Sequence, residues 1–321
     1  MISTQHLAHA LALAKHLNFG RAAKAVNLTQ PALSLSIQAL ERQVGVRLFD
    51  RGSGGVAPTA YGKLLVERAQ KIVQDVDDLE REVELMRDLK IGTLDLVLGP
   101  YASALSGHQA IAKLVAIHPT LQCRVRVEGF RVVAEEVAFG DCDLGIAEIS
   151  VAEELDLKVE MLATWPLFFV CRPGHQLLSG TSRTLSDLLA YPWAAIRVGK
   201  RLAEWLPESL AKAGRWDPVT GDFLPAFVTD VVSDFSVLAR ESDVIVATAL
   251  SLVEEELAQG TLAVVPFSEP WLRFNYGFIS RPGRTLSRVT EHFMAIVREI
   301  ETEVEQREAE LRGHYVQLSP G

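Results

Sequence analysis

Cysteine is scarce: Cys123, Cys142 and Cys171 are the only three in 321 residues. They are widely spaced, odd in number and without a C-x-x-C pair, and each sits in or beside an apolar run. That pattern argues against a disulfide frame or a zinc site and for reduced core residues. Long apolar runs are missing as well. Stretches such as 167–171 fall far short of the ~20 residues that span a bilayer, so no membrane partner is expected. The leading Ile2-Ser3-Thr4-Gln5-His6 contains no basic region followed by an apolar core, so no secretory signal is expected and the cytoplasm is the expected compartment. Positive charge is in deficit, with 32 Lys+Arg against 41 Asp+Glu, a net charge of −9 and a pI near 5.5, which argues against a uniformly basic nucleic-acid coat. Catalytic signatures are also lacking: there is no G-x-S-x-G elbow and no H-E-x-x-H. Gly62-Lys63 lacks the remainder of a P-loop. Residues 52–57 nominally match a G-x-G-x-x-A dinucleotide loop, but no strand precedes them and Pro58 follows. His6 and His9 have no Cys or carboxylate companions at ligand spacing, so solvated histidines are expected. No enzyme activity, cofactor or metal follows from these residues.

What remains is an ordinary globular composition, 48% hydrophobic and 23% charged, in a chain long enough for about two domains. The charge is unevenly placed. Residues 1–62 hold six basic side chains (Lys15, Arg21, Lys24, Arg42, Arg47, Arg51) and two acidic ones (Glu41, Asp50), a net +4, so the remaining 259 residues carry −13. Such asymmetry suggests that one end meets a polyanion while the other keeps the molecule soluble.

Residues 4–46 read as three short helices. Asn18 is a candidate cap for the second and Thr29 for the third, where Pro31 falls in the first turn and its missing N–H costs nothing. In the third, Leu33, Ile37, Leu40 and Val44 are spaced 4, 3 and 4 apart and form the inward face, while Ser34, Leu35, Gln38 and Arg42 point the other way. Residues 47–58 are turn-rich and hold only a short hairpin. From Thr59 to about Leu89 a helix about 46 Å long carries Leu65, Ala69, Ile72, Val76, Leu79, Val83 and Met86 in a sustained heptad seam. One apolar stripe on a charged helix implies a partner chain, hence a dimer. After Gly92, strands and helices alternate, as expected for parallel sheets with crossover helices. They include a helical unit over 202–213 and a last helix from Leu286 to about Arg307 followed by a Glu-rich tail.

The string Asn18-Phe19-Gly20-Arg21-Ala22-Ala23, Leu28-Thr29-Gln30-Pro31-Ala32-Leu33-Ser34, Ile37-Gln38-Ala39-Leu40-Glu41 and Val44 to Arg51 resembles the winged helix-turn-helix of LysR-type transcriptional regulators. The match is specific over residues 2 to about 65 and looser over the rest. The chemistry agrees independently, because a groove-reading helix needs short polar groups on its outer face, and Gln30, Ser34 and Gln38 at i, i+4 and i+8 supply them. The DNA-contacting set is therefore Thr29, Gln30, Pro31, Ser34, Leu35, Gln38 and Arg42, with Arg51 on the Gly-rich turn placed for a flanking phosphate or the minor groove. Leu35 departs from the family, which commonly has Arg there; it either meets a thymine methyl or is a neutral surface residue.

The resemblance implies an all-α winged helix-turn-helix (1–59), a linker helix that dimerises antiparallel (60–91), and a two-lobed α/β effector domain like that of periplasmic solute-binding proteins (92–302). Lobe I would take about 92–165 and 270–300, lobe II about 166–269, and the tail 303–321. By heptad rules alone the seam would favour a parallel pair. Family position points to Ser103, Gly129, Glu148 and the loop Arg197-Val198-Gly199-Lys200 as effector contacts, Thr229 ahead of a helix is a further candidate, and Arg197, Lys200 and Arg201 near a helix start suit a carboxylate-bearing ligand. The alternative for each lone Ser or Thr is a helix cap. The implied partners are double-stranded DNA at a pseudo-palindromic site, a small-molecule effector, a second or fourth copy of the chain, and RNA polymerase. Two rivals are a small-molecule binder or enzyme whose bundle serves assembly, and a DNA-binding protein without effector.

Overall fold

The computed structural model describes residues 2–52, 55–86, 93–180 and 183–316. The chain divides into two compact units, Met1–Leu89 and Lys90–Gly321. In the first, three helices, α1 (Thr4–His16), α2 (Phe19–Ala25) and α3 (Gln30–Val44), start where the sequence places an oxygen to receive a free N–H. Ser3 Oγ accepts from His6 N at 3.2 Å, Asn18 Oδ1 from Arg21 N at 3.0 Å and Thr29 Oγ1 from Ala32 N at 3.4 Å. α3 stops at Gly45, whose φ of 76° a side chain would resist and whose N–H bonds Glu41 O. Leu33, Ile37 and Leu40 are fully buried and share one core with Leu13, Ala22 and Phe49, each large side chain contributing about 1.5–3 kcal/mol. His9, expected in solvent, is buried there instead, its Nδ1 2.7 Å from Ser36 Oγ.

The hairpin of β1 (Phe49–Gly52) and β2 (Gly55–Pro58) is antiparallel. Glu41 fixes its base to α3, accepting from Leu48 N at 2.8 Å and Phe49 N at 3.2 Å. Thr59 then donates to Arg47 O at 2.8 Å and accepts from Gly62 N at 3.0 Å, opening α4 (Ala60–Met86). A Cβ on Gly62 would lie 2.0 Å from Leu48 O, so only glycine lets the helix pass this close. Along α4 the heptad seam divides in two. Leu65 packs on the bundle core and Ala69 is buried on a helix that lies against α1, so these two do not await a partner chain as the heptad reading expected. Ile72 and Leu79 are exposed and Val76 half-buried. The side chains of Val83 and Met86, and residues 87–89 of the expected helix, lie outside the described residues.

In the second unit, β3 (Thr93–Leu98), α5 (Pro100–Ala102), a π-helical turn (Ser103–Gly107), α6 (His108–Ile117), β4 (Gln122–Val127), α7 (Phe130–Phe139), β5 (Leu144–Glu148), α8 (Ser150–Glu154) and β6 (Lys158–Pro166) follow one another. The chain then crosses into β7 (Phe168–Cys171), α9 (Leu185–Leu189), β8 (Trp193–Ala195), β9 (Gly214–Trp216), β10 (Phe223–Pro225), β11 (Phe227–Val228), α10 (Asp234–Glu241), β12 (Ile245–Thr248), α11 (Glu254–Ala258) and β13 (Ala263–Val264). It returns through β14 (Arg273–Ser280) and ends on α12 (Arg288–Tyr315). Two five-stranded sheets result, ordered β4-β3-β5-β14-β6 and β11-β8-β12-β7-β13.

Both sheets are mixed, which corrects the expectation of parallel sheets: β14 is antiparallel to β5 and β6, and β7 to β12 and β13. β6 leaves for the second lobe and β14 comes back from it, so the two run past each other in opposite directions. The helical unit expected over 202–213 is reduced to a 3₁₀ turn, Lys200–Glu204; Pro207 cannot sit inside a helix. The stretch 303–321, expected as a tail, stays helical to Tyr315. Its polar character hides a buried face: Leu311 is buried, and Glu308 accepts from Leu250 N at 2.9 Å and Ser251 N at 2.8 Å, tying α12 to the second lobe. Among the described residues no helix is long and apolar enough to cross a membrane.

Candidate functional site

Two surfaces carry chemistry. On α3 the buried face of Leu33, Ile37 and Leu40 turns Gln30, Pro31, Leu35, Gln38 and Arg42 outward, all exposed, with Ser34 half-buried among them. Leu35 is 63% exposed, leaving its methyls open to a thymine methyl or to solvent. Arg42 Nε donates to Gln38 O at 3.3 Å, which holds its guanidinium along the helix. Thr29 serves as cap, its oxygen receiving Ala32 N, yet its hydroxyl hydrogen remains a donor. The backbone of Arg51 pairs with Val56 in the hairpin; its side chain lies outside the described residues.

The second surface is a cavity of about 80 Å³ in the second unit, where the two sheets meet, room for several water molecules or a small ligand. Gly99 and Tyr101 after β3, Phe130 at the start of α7 and Glu148 at the end of β5 form one side. Trp193, Arg197, Gly199 and Phe223 form the other, and Leu167, Trp271 and Phe274 lie where the chain crosses between lobes. Such a position, at strand ends between two lobes, is where α/β folds collect ligands. The wall is largely aromatic: Tyr101 stacks on Phe274 with centroids 4.8 Å apart, and Phe274 on Tyr276 at 5.3 Å.

Charges at the mouth are paired across the lobes. Arg131 of α7 makes a forked contact with Asp222, Nε at 2.6 Å and Nη2 at 2.7 Å, and the Asp222 side chain has no exposed surface. Burial alone would push that carboxyl up, but the hydrogen bonds from Arg131 and Thr220 and the charges of Arg131 and Arg197 hold it below its ordinary value. Arg197 lies 3.3 Å from Asp217 and 3.6 Å from Asp222. Lys200 pairs with Glu154 at 2.8 Å and Arg201 approaches Glu148 at 3.9 Å. Glu148 also accepts from Ser150 N at 3.2 Å and from Ser150 Oγ. Burial raises its pKa, opposed mainly by that serine.

Of the residues singled out in the sequence, Glu148, Arg197 and Gly199 line the cavity. The others stand apart from its lining. Ser103 is buried against His108, 3.3 Å away. Gly129 caps α7 and leaves the lining to Phe130. Lys200 is drawn to Glu154, and Thr229 donates to Asp234 at 3.3 Å and accepts from Val231 N, the turn-capping role. Sequence reading missed the aromatic wall, the Arg131–Asp222 pair and Arg273 at the rim. A signal for the wall was present in the aromatics that flank both lobe crossings, Trp165, Trp271, Phe274 and Tyr276.

Comparison with known proteins identifies the parts. Residues 4–63 match the bacterial regulatory helix-turn-helix protein, lysR family, and residues 87–301 match the LysR substrate binding domain. A Pseudomonas sp. protein described as the SDS degradation transcriptional activation protein is 35% identical over 302 residues, covering 92% of this chain and 96% of its own. The regulator GbpR of Azospirillum brasilense is 29% identical over 308 residues, covering 92% and 86%. Among solved structures, a full-length OxyR variant from Pseudomonas aeruginosa gives a TM-score of 0.63 at 19% identity, covering 93% of this chain and 98% of that one. ArgP from Mycobacterium tuberculosis gives 0.60 at 17%, covering 94% and 98%, which supports the shared fold. The chain, helix-turn-helix and effector-binding domain together, belongs to the LysR-type family of transcriptional regulators, not to an enzyme family.

Proposed function

We propose that α3 reads a pseudo-palindromic promoter site in the major groove through Gln30, Ser34, Leu35, Gln38 and Arg42. Thr29 and Pro31 seat its first turn, and Arg51 reaches the flanking backbone or minor groove. The observation that carries this reading is the outward row of Gln30, Ser34 and Gln38 on a helix whose opposite face is buried at Leu33, Ile37 and Leu40. A homodimer forms along α4 through Ile72, Val76 and Leu79 and continues through Val83 and Met86, with Leu65 and Ala69 supporting the helix from inside its own bundle. A homotetramer is the larger assembly. The site of action is the cytoplasm, with RNA polymerase as a downstream partner.

An effector in the inter-sheet cavity, touching Glu148, Arg197 and Gly199, with Ser103, Gly129, Lys200 and Thr229 supporting the surrounding segments from outside the lining, shifts the balance between two assembly states by its differential affinity for them. The Pseudomonas relative's name, an activation protein, favours activation as the outcome here. The test is a footprint of the full-length protein on the DNA beside its own gene, at stated salt, with Gln30→Ala and Ser34→Ala as controls. Protection over one or more helical turns, lost in both variants, is expected. Protection unchanged in both would refute the assignment of α3.

A further inference from the structure

A second concavity lies along the strand by which the chain leaves the first lobe. β6 is an edge strand, paired in its sheet with β14 alone. The last turns of α12 run beside it, and the two enclose a groove of about 430 Å³, within the range of sites that hold small molecules. Every residue of 161–166 lines it, so the strand edge, backbone included, forms one wall. Glu305, Glu308, Ala309 and Arg312 form the other; at i, i+3, i+4 and i+7 they share one face of the helix.

An open strand edge invites a further strand, but this one is blunted. The ladder passes from Tyr276–Ala163 to Gly277–Met161 and skips Leu162, which is a bulge. Leu167 N donates to Leu272 O at 2.8 Å, and alternation along an antiparallel pair then turns the backbone groups of Pro166 and Thr164 to the open side. Pro166 has no N–H to give. Between bulge and proline only Thr164 presents both a donor and an acceptor, too little for a peptide ladder and enough to orient one small molecule.

The helix wall supplies charge. Glu308 is buried and its carboxylate is occupied by Leu250 N and Ser251 N. Glu305 and Arg312 are exposed, and neither side chain has an ion pair or hydrogen bond among the described residues. Seven residues apart, they stand about 10.5 Å from each other along the helix axis. One end of the groove thus offers a carboxylate and the other a guanidinium, with Met161, Leu162 and Trp165 on the strand side. We propose that this groove binds a zwitterion with an aliphatic spacer, its ammonium on Glu305, its carboxylate on Arg312 and its chain along residues 161–165. The site is separate from the inter-sheet cavity and adds a second input to the effector reading. Trp165 joins the two: it lines the groove, and its Nε1 donates at 3.1 Å to the hydroxyl of Tyr276, which lines the cavity. Because Glu308 ties the helix wall to the second lobe, a molecule held between β6 and α12 braces the lobe crossing and biases the balance of states.

The probe is 6-aminohexanoate, whose six-bond chain is as long as two extended residues, about 7 Å. It is titrated calorimetrically into the full-length protein beside hexanoate, hexylamine and a blocked, uncharged tetrapeptide. One 6-aminohexanoate per chain is expected, with a dissociation constant of about 1 mM or below and about three- to tenfold weaker binding of hexanoate and of hexylamine. Glu305→Gln should abolish the advantage over hexanoate, and Arg312→Gln the advantage over hexylamine; both side chains are exposed, so neither change threatens the fold. Hydrogen exchange with the probe bound should slow across 161–165. Equal binding of hexanoate or hexylamine, variants with unchanged selectivity, or protection that falls on 197–199 instead of 161–165 would overturn the proposal. Tighter binding of the tetrapeptide, which would make the edge a strand acceptor, or no binding at about 10 mM, would do the same.

Discussion

Replacing Arg131 by alanine tests whether the two lobes are held shut by charge. The substitution leaves Asp222, with no exposed surface, with Arg197 at 3.6 Å as its counter-charge and the hydrogen bond from Thr220. Stripping one partner from a buried pair costs about 3–5 kcal/mol. The Arg131 side chain is 25% exposed and Arg197 remains as a second counter-charge, so about 2–3 kcal/mol is the expectation for this site. For a unit of this size that lowers the midpoint of thermal unfolding by about 5–10 °C. The assay is calorimetry of the full-length chain, following the transition of the second unit, with Asp222→Ala and the double variant beside it. Removing both charges leaves no orphan, so the double variant should be markedly less unstable than the sum of the singles. The folded pKa of Asp222 lies below its unfolded value, so its contribution is present above about pH 3.9 and lost as pH falls through the folded value. The gap between wild type and Arg131→Ala should therefore be full at neutral pH and shrink below about pH 3.9. A midpoint within 1 °C of wild type, or additive singles, would refute the reasoning.

Gly62→Ala drives a Cβ into Leu48 O and should cost the first unit about 2 kcal/mol or more in denaturant unfolding, whereas Gly129→Ala, with open space around it, should stay within about 0.5 kcal/mol. Glu41→Ala strips two backbone N–H groups of their acceptor at the base of the hairpin and should cost about 1–3 kcal/mol, with weaker DNA protection at the edges of the footprint. His9 has its pKa lowered first by burial and then by His6, so the folded state resists a proton that the unfolded state accepts. The first unit should therefore lose stability as pH falls below about 6.5, and His9→Gln should flatten that dependence in a pH series of melts. Glu308→Ala should loosen the turn at Leu250 and Ser251, seen as faster amide exchange there.

The helix-turn-helix was legible because its signals are local: Asn18 and Thr29 sit one residue ahead of the helices they cap, and the 4-3-4 spacing from Leu33 to Val44 shows which face is buried. The lobes were legible as alternation, but the direction of β7 and β14 was not, since strand polarity depends on where the chain goes next rather than on composition. Site charges misled for the same kind of reason. Arg131 and Asp222 are 91 positions apart, and nothing near Arg197 or Lys200 announces that Asp217 and Glu154 will fold beside them. Residues 303–315 looked like a tail because their surface is glutamate-rich; Leu311 is buried all the same, and the carboxylate of Glu308 accepts from N–H groups 57 and 58 residues away.

The divided seam of α4 makes that helix a keyed shaft. Leu65 and Ala69 lock its lower end to the bundle, and Ile72, Val76 and Leu79 form the stripe above. The number of residues between the two sets fixes the angle at which the recognition surface is offered to whatever grips the shaft. One residue inserted after Ala69 would turn that offer by about 100° and lift it about 1.5 Å, while seven would return it to within about 20°. Chimeras that graft this bundle onto another regulator's body should therefore tolerate changes of whole heptads in α4 and fail on single-residue changes of length.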